Sequence, residues 1–348
     1  MSLVVDGRFL SGRATGLHRV ARGFVAAAKE AGVDLEVWTP GRVDDPLADR
    51  ALRVPGGRLG GRLWEQVILP AAAARHTIWS LTNTAPLARP GIVVVHDLAA
   101  TVGPEWFAGS MRLYAHSVLT SARRAKHVIT VSRAVRSELV AHGVGEERIT
   151  VVSPAVDGRF APAPSADVER LRASLGLDAE YVVMVGWADP RKDVATAVAA
   201  HERTVGELPH DLVLVGSGHP TFAPVPRPSG ERIKIVGHAS DPDLVALLTG
   251  AKALLYPSRY EGFGLPPLEA MACGTPAIVS DIPALRESTA GSSARLVAPE
   301  DAEGWAAALR EGLSGTLTRP SPPTRSWQSV GAELAASLPA GSDARPNR

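Results

Sequence analysis

Apolar residues in this chain come in short runs of three to five, separated by stretches of helical period. Leu3–Val5, Leu35–Trp38, Thr77–Leu81, Ile92–Val95, Val128–Val131 and Ile149–Val152 read as buried strands. Between them, Gly16–Ala31 carries an apolar stripe at Val20, Phe24, Ala27 and Ala28, and Trp64–Ala74, Pro104–His127 and Arg133–Ala141 also have helical composition. The second half continues with strands near 181–185, 212–215, 232–236, 253–256, 276–280 and 294–297 and helices at 191–206, 241–249, 266–273 and 301–313. Continuous apolar strands alternating with helices predict the α/β class, with parallel sheets covered on both faces. Residues 40–61, 216–231 and 316–325 are rich in Gly, Pro or polar residues and read as loops. Ser153–Ser165 holds Pro154, Pro162 and Pro164 and marks a domain boundary. The expected organisation is one Rossmann-like domain over 1–158, a second over 159–325, a last helix over 326–338 and a disordered tail over 339–348.

Length and composition agree with this organisation. The chain has 348 residues, 45% apolar and 21% charged, which suits two globular domains. No apolar run approaches the roughly 20 residues of a spanning helix. The start, MSLVVDGRFL, lacks a basic region followed by a long apolar core. Cys273 is the only cysteine, so neither a disulfide framework nor a cysteine metal cluster is available. A cytoplasmic protein is expected. The net charge of +1 conceals an asymmetry. Residues 1–157 carry 19 Lys and Arg against 14 Asp and Glu, and the remainder carries 18 against 22. A basic first half fits an anionic acceptor or peripheral contact with an anionic membrane face. It fits an ordinary solvated surface equally well. No nucleic-acid partner is expected.

The stretch with most chemistry is Tyr256–Glu287, which reads as strand end, glycine loop, helix, glycine stop and strand. Glu261 and Glu269 bracket Gly262, Phe263, Gly264 and Leu265 at the helix start. Bare backbone N–H groups and the positive end of the helix dipole favour an anion there, typically phosphate. Carboxylates beside an anion would repel it, so the two glutamates are better employed accepting hydrogen bonds from hydroxyls. Phosphate and hydroxyls together suggest a sugar nucleotide. Taken singly, Glu269 could merely complement the dipole and the glycines merely make a turn.

The spacing Glu-x7-Glu enclosing Gly-Phe-Gly-Leu-Pro resembles the donor-site motif of glycosyltransferase family 4, retaining enzymes of the two-domain GT-B architecture. Other stretches are similar to the same family. Gly186-Trp-Ala-Asp-Pro-Arg-Lys-Asp resembles its Gly-x-x-x-Pro-Arg-Lys-Asn loop, and His96-Asp97 resembles an element of the mannosyltransferase-like branch. Thr15-Gly16-Leu17-His18-Arg19 looks like its first loop, and Pro154-Ala155-Val156-Asp157 stands where Asn-Gly-Val-Asp is usual. The resemblance implies two Rossmann-like domains facing across a cleft, with the last helix returning to the first domain. It implies transfer of a hexose from a nucleotide sugar to a hydroxyl of a glycan, lipid-linked saccharide or secondary metabolite. On that reading Glu261 contacts the donor sugar, Glu269 takes the ribose hydroxyls, and Arg191 and Lys192 hold the diphosphate. Gly16 approaches from the first domain, His96 lies by the sugar, and Asp97 orients it. Gly186, Gly216, Gly237 and His238 face the nucleotide. Trp187 departs from the family, many of whose members have an arginine there to hold phosphate.

Two alternatives remain: an epimerase of the same architecture, and a binding protein without activity. A dinucleotide-binding enzyme is disfavoured because Gly262-Phe-Gly-Leu-Pro-Pro lacks the third glycine, and a P-loop enzyme because G-x4-G-K-[ST] is absent. Asp241-Pro242-Asp243 has the D-x-D form of a metal-holding motif, but the three residues fit a helix cap and first turn better. No metal and no bound cofactor are expected.

Overall fold

A computed structural model describes residues 3–11, 15–52, 54, 60–109 and 111–338. The expected tail over 339–348 lies outside the described residues. The chain forms two compact units, one of residues 1–101, 112–155 and 325–348, the other of 102–111 and 156–324.

The first unit is built on a seven-stranded sheet, every pairing of which is parallel. Its strands are β1 (Leu3–Asp6), β2 (Leu35–Thr39), β3 (Arg50–Ala51), β4 (Thr77–Ser80), β5 (Ile92–Val95), β6 (His127–Thr130) and β7 (Ile149–Val151), in the order β3-β2-β1-β4-β5-β6-β7. The direction of winding reverses between β1 and β4. In open parallel sheets ligands bind beyond the carboxyl ends of the strands at such a reversal. Val93, Val95, Val128, Leu139 and their neighbours fill one core under the sheet; Val4, Trp38, Trp64 and Leu69 fill another.

The last helix, Trp327–Ser337, belongs to this unit and lies on Gly16–Glu30. Two glycines make the approach possible. A Cβ on Gly331 would stand 2.4 Å from the carbonyl oxygen of Ala27, and one on Gly23 would stand 2.2 Å from the Trp327 ring. Trp327 meets Phe24 edge to face with centroids 6.2 Å apart. Arg325 fixes the entry to the helix, donating to the Ser153 carbonyl at 2.7 Å and to both carboxylate oxygens of Glu333.

The second unit carries six parallel strands: β8 (Tyr181–Val185), β9 (Asp211–Val215), β10 (Ile233–Val236), β11 (Leu254–Tyr256), β12 (Ala277–Ser280) and β13 (Arg295–Val297). Their order is β10-β9-β8-β11-β12-β13, so the reversal here falls between β8 and β11. Trp305, fully buried on the helix Ala302–Ser314, centres the core and donates its indole N–H to the Ala298 carbonyl at 3.1 Å.

Several local expectations change. Pro104–His127 is not one helix: Pro104–Trp106 is a 3-10 turn, and the α-helix runs Met111–Arg124. The expected helix at 191–206 begins later, at Val194, after a 3-10 turn over Pro190–Lys192. Trp64–Ala74 is interrupted by a π-turn over Trp64–Ile68. There the Trp64 indole donates to Asp6 at 2.9 Å, and Glu65 accepts from Arg8 at 2.6 Å and from Thr84 at 2.5 Å. Two further helices, Ser165–Leu175 and Pro283–Ser288, stand outside these expectations. The first carries half-buried Val168, Leu171 and Leu175 at helical spacing and Gly176 just past its end, a signal masked by the prolines that precede it.

Candidate functional site

The chemistry-bearing residues of the second unit gather at the carboxyl ends of β8 to β11. Gly186 follows β8 with φ +80°, and Gly216 follows β9 with φ +125°. A Cβ on Gly216 would lie 3.3 Å from the Cα of Gly186, so the two loops run in backbone contact. Hydrogen bonds join them: the Gly186 N–H donates to Val215 at 2.7 Å, and the Gly216 N–H donates to the Gly237 carbonyl at 2.9 Å. Trp187 closes the arrangement, its indole donating to the Gly216 carbonyl at 3.0 Å. Its ring is 8% exposed and packs into the core of the unit. The position where a phosphate-holding arginine is usual therefore serves packing here. His238 is exposed beside Gly237.

The turn after Gly186 presents two cations in different settings. Asp189 caps it, accepting the N–H of Arg191 at 3.0 Å. The Arg191 guanidinium returns to the same carboxylate, Nε at 3.0 Å from one oxygen and a terminal nitrogen at 2.6 Å from the other. Burial alone would push the Asp189 carboxyl up. The hydrogen bond and charge of Arg191, with the charge of Lys192, outweigh it and hold the group below its ordinary range. Asp193, where asparagine is usual, sits at φ +50°, a conformation that aspartate and asparagine tolerate better than most residues.

Lys192 points to β11. Its Nζ donates to the hydroxyl of Tyr256 and to a carboxylate oxygen of Glu261, and stands 4.5 Å from the Tyr256 ring centroid. The three groups join the turn after β8, the end of β11 and the following loop, so they span the reversal point. Tyr256 is buried, and its hydroxyl also hydrogen-bonds Glu261. Burial, then the charge of Glu261 and that hydrogen bond, push its phenol well above the ordinary value. Tyr256 stays protonated, able to give one hydrogen bond while accepting another.

Beyond Glu261 the chain passes Gly262 and Phe263 to Gly264, the residue before the helix Leu265–Ala272. Gly264 has φ +92°, a conformation that favours glycine, and a Cβ there would stand 2.3 Å from the tip of the Leu285 side chain, which would have to shift. Pro266 and Pro267 start the helix and have no N–H to offer. Anion-binding capacity at this helix start thus rests on Leu265 and the glycine loop. Glu269, 9% exposed, opens the second turn.

In the first unit, Gly16 begins the helix that follows β1, and a Cβ there would meet nothing within 4 Å. Packing gives no reason for a glycine at that position. His96 follows β5 and is buried. Its backbone N–H donates to the Asn83 side-chain oxygen at 2.6 Å, and its Nε2 lies 2.8 Å from the Leu81 carbonyl, which only an N–H can satisfy. Burial lowers its affinity for a proton; the bond to Leu81 and the charge of Asp97 partly oppose this. Asp97 accepts the Ala99 N–H at 3.1 Å.

Two family models match the chain: "Glycosyltransferase Family 4" over residues 14–159 and "Glycosyl transferases group 1" over residues 179–314. The chain belongs to glycosyltransferase family 4. The O-antigen chain mannosyltransferase RfbU of Salmonella typhimurium is 30% identical over 247 residues, 68% of this chain. The serotype-specific mannosyltransferase WbdA of Escherichia coli is 29% identical over 210 residues, 56% of this chain. The matched stretches make up 65% and 26% of the lengths of those two relatives. Among solved structures, Anabaena HepE in complex with UDP-glucose superposes with a TM-score of 0.68 at 18% identity, covering 96% of this chain and 93% of that one. The sucrose-phosphate synthase of Thermosynechococcus elongatus gives 0.66 at 21%, covering 97% and 94%. At such identities the likeness is one of fold, and the fold is GT-B.

Within this family member, sequence reasoning missed three contributors in the two units. Tyr256 shares Lys192 with Glu261, Asp189 holds Arg191, and Asn83, at φ +68°, fixes the backbone of His96. Tyr256 had one signal, a polar-tipped residue at the end of a buried strand that leads into the glycine loop. Among the described residues no helix is long and apolar enough to cross a membrane, and no group of three or more His, Cys, Asp or Glu could hold a metal ion.

Proposed function

We propose that the chain transfers a hexose from a nucleotide sugar to an acceptor hydroxyl, retaining the anomeric configuration, with Lys192 rather than a metal ion meeting the charge of the leaving group. One observation carries this reading. Lys192, Tyr256 and Glu261 converge at the winding reversal of the second unit, one loop before the helix that holds Glu269.

The bond that breaks joins the sugar to a nucleoside diphosphate, so negative charge grows on the departing phosphate. A fixed ammonium favours that charge more in the transition state than in the ground state. Losing one such preorganised donor typically costs about 3–4 kcal/mol. Glu261 accepts hydrogen bonds from sugar hydroxyls, and Glu269 accepts them from the ribose. Amides of Phe263, Gly264 and Leu265 face the sugar or the phosphates. The carbonyl of Gly237, already drawn into the glycine loops, and His238 beside it stand toward the base. On the family resemblance, Gly16 and His96 are further donor-site candidates in the first unit, His96 as a neutral imidazole. A phosphate oxygen of the leaving group takes the acceptor proton on the face the diphosphate vacates.

GDP-mannose is the donor favoured by His96-Asp97 and by the names of the enterobacterial relatives. UDP-glucose, bound by the Anabaena structure, is the competing choice. The relatives' names point to a saccharide acceptor. The cationic excess of residues 1–157 supports a carrier lipid at an anionic surface. A thermal-shift panel of GDP-, UDP-, ADP- and dTDP-sugars, followed by assay of sugar transfer with the hits, tests the proposal. A donor that stabilises the protein and is turned over supports it. Failure of every donor to bind rejects it.

A further inference from the structure

Arg191 has a second set of partners besides Asp189. Residues 102–111 lie in sequence between two segments of the first unit, yet they belong to the second. There Phe107 pairs with Phe222 in an antiparallel bridge. The Ala108 N–H donates to the Thr221 carbonyl and the Ala223 N–H to the Trp106 carbonyl, both at 2.9 Å. The Phe107 and Phe222 rings have centroids 5.6 Å apart, and the guanidinium carbon of Arg191 lies 5.8 Å from one and 5.5 Å from the other. Trp106 meets Tyr260 at 6.1 Å, and Tyr260 immediately precedes Glu261. The Arg259 N–H donates to the Arg191 carbonyl at 2.7 Å, tying the two loops together.

A guanidinium that gives its edge to a carboxylate and lies against two aromatic rings acts as a joint. A phosphate would have to compete with Asp189 for its donors and disturb both rings. Lys192, its neighbour in sequence, is directed instead at Tyr256 and Glu261. The two cations of one turn therefore do separate work.

We propose that Arg191 is a positioning residue that clamps residues 102–111 onto the 219–223 loop, and that Trp106, so held, forms a wall beside Glu261 that governs what reaches the bound sugar. This rests on the reading of Glu261 as the donor-sugar contact. An aromatic wall there would keep water from the anomeric carbon and narrow the approach of the acceptor.

The test compares wild type, Arg191→Lys, the Phe107→Ala/Phe222→Ala double variant, Trp106→Ala and Lys192→Ala. Amide exchange is followed at Ala108 and Ala223, binding of GDP, UDP, ADP and dTDP by calorimetry, and uncoupled hydrolysis of GDP-mannose and UDP-glucose. Arg191→Lys keeps the charge but loses the guanidinium that lies near both rings and grips Asp189 with two nitrogens. It and the double Phe variant should raise exchange at Ala108 and Ala223 about tenfold, the scale of a lost cation–π contact. Both should leave GDP and UDP affinity within about twofold, while Lys192→Ala weakens it about tenfold or more. Trp106→Ala and Arg191→Lys should raise hydrolysis of whichever donor the wild type binds. A joint important only for folding would lower thermal stability and leave hydrolysis unchanged. The clamp is overturned if Arg191→Lys weakens GDP or UDP about tenfold with exchange unchanged. The wall is overturned if folded Trp106→Ala hydrolyses its donor at the wild-type rate. If wild type binds none of GDP, UDP, ADP and dTDP, the glycosyltransferase reading fails, the wall fails with it, and the exchange comparison still decides the clamp.

Discussion

The ammonium of Lys192 rests between the hydroxyl of Tyr256 and the carboxylate of Glu261, residues 64 and 69 positions away in the chain. Burial and the charge of Glu261 hold the Tyr256 phenol protonated. It therefore offers Lys192 a lone pair, and the ammonium has a neutral partner as well as a charged one. On the proposed reading, a diphosphate arrives, sugar hydroxyls take over Glu261, and the tyrosine keeps the ammonium in place.

Tyr256→Phe should therefore leave Lys192 to Glu261 alone in the free protein. A hydrogen bond to a charged group contributes about 1.5–3 kcal/mol, so donor affinity should fall about tenfold or more. Thermal stability should fall modestly as well, because the bond is already made in the free protein, while the ring still fills its site. Calorimetric titration with GDP and UDP reads the affinity. Unchanged affinity would reduce Tyr256 to packing.

Glu269→Gln removes the charge from the group assigned to the ribose hydroxyls and keeps its size. Binding of the ribonucleoside diphosphate should weaken about tenfold, within the range of a lost charge-assisted hydrogen bond. Binding of the 2′-deoxy nucleotide should weaken less. Equal losses for ribo and deoxy nucleotides would remove Glu269 from the ribose.

The contact between the last helix and Gly16–Glu30 leaves no room for a side chain at Gly331, because the obstacle is the backbone oxygen of Ala27. Gly331→Val should destabilise the first unit by about 1–3 kcal/mol, the usual cost of overpacking a site that cannot yield. Denaturant unfolding measures it. A loss below about 0.5 kcal/mol, ordinary for a surface change, would show that the two helices are not held together as described.

Burial keeps His96 neutral in the native state, with a pKa below its ordinary value, whereas the unfolded chain titrates near about 6.5. The unfolded state takes up a proton that the native state refuses. The contribution to stability is thus complete above about pH 6.5 and is lost as pH falls below it, by at most about 1.4 kcal/mol per pH unit. His96→Gln can still donate to the Leu81 carbonyl and does not titrate. Its stability should fall less than that of wild type between about pH 7 and pH 5. Parallel losses in the two proteins would show that His96 does not carry this dependence.

Much of this architecture is legible in the sequence for simple reasons. Ile92–Val95 and Tyr181–Val185 are apolar without alternation because both faces of a parallel sheet are covered, and the glycines after β8 and β9 announce tight loops at the strand ends. Glu261 and Glu269 show themselves by their fixed spacing around one loop. Contacts between distant segments leave no such trace. Nothing local to Trp106 and Phe107 says that they leave the first unit, although Gly103, Pro104 and Gly109 show that the helix is broken there. The bond from Tyr256 to Lys192 depends on β8 lying beside β11, which only the winding order reveals. Trp187 stands where many members of the family have a phosphate ligand, and only the structure shows its indole on Gly216 within the core.

The most direct measurement is the rate of nucleotide release from the accepted donor, in the presence of an accepted saccharide, by Lys192→Ala against wild type. With the variant folded and its unfolding midpoint preserved, the rate should fall by about 10²–10³, the loss expected for one preorganised cation on the leaving phosphate. Turnover within about threefold of wild type, far short of what one preorganised donor supplies, would contradict the assignment of Lys192 and with it the proposed chemistry of the site.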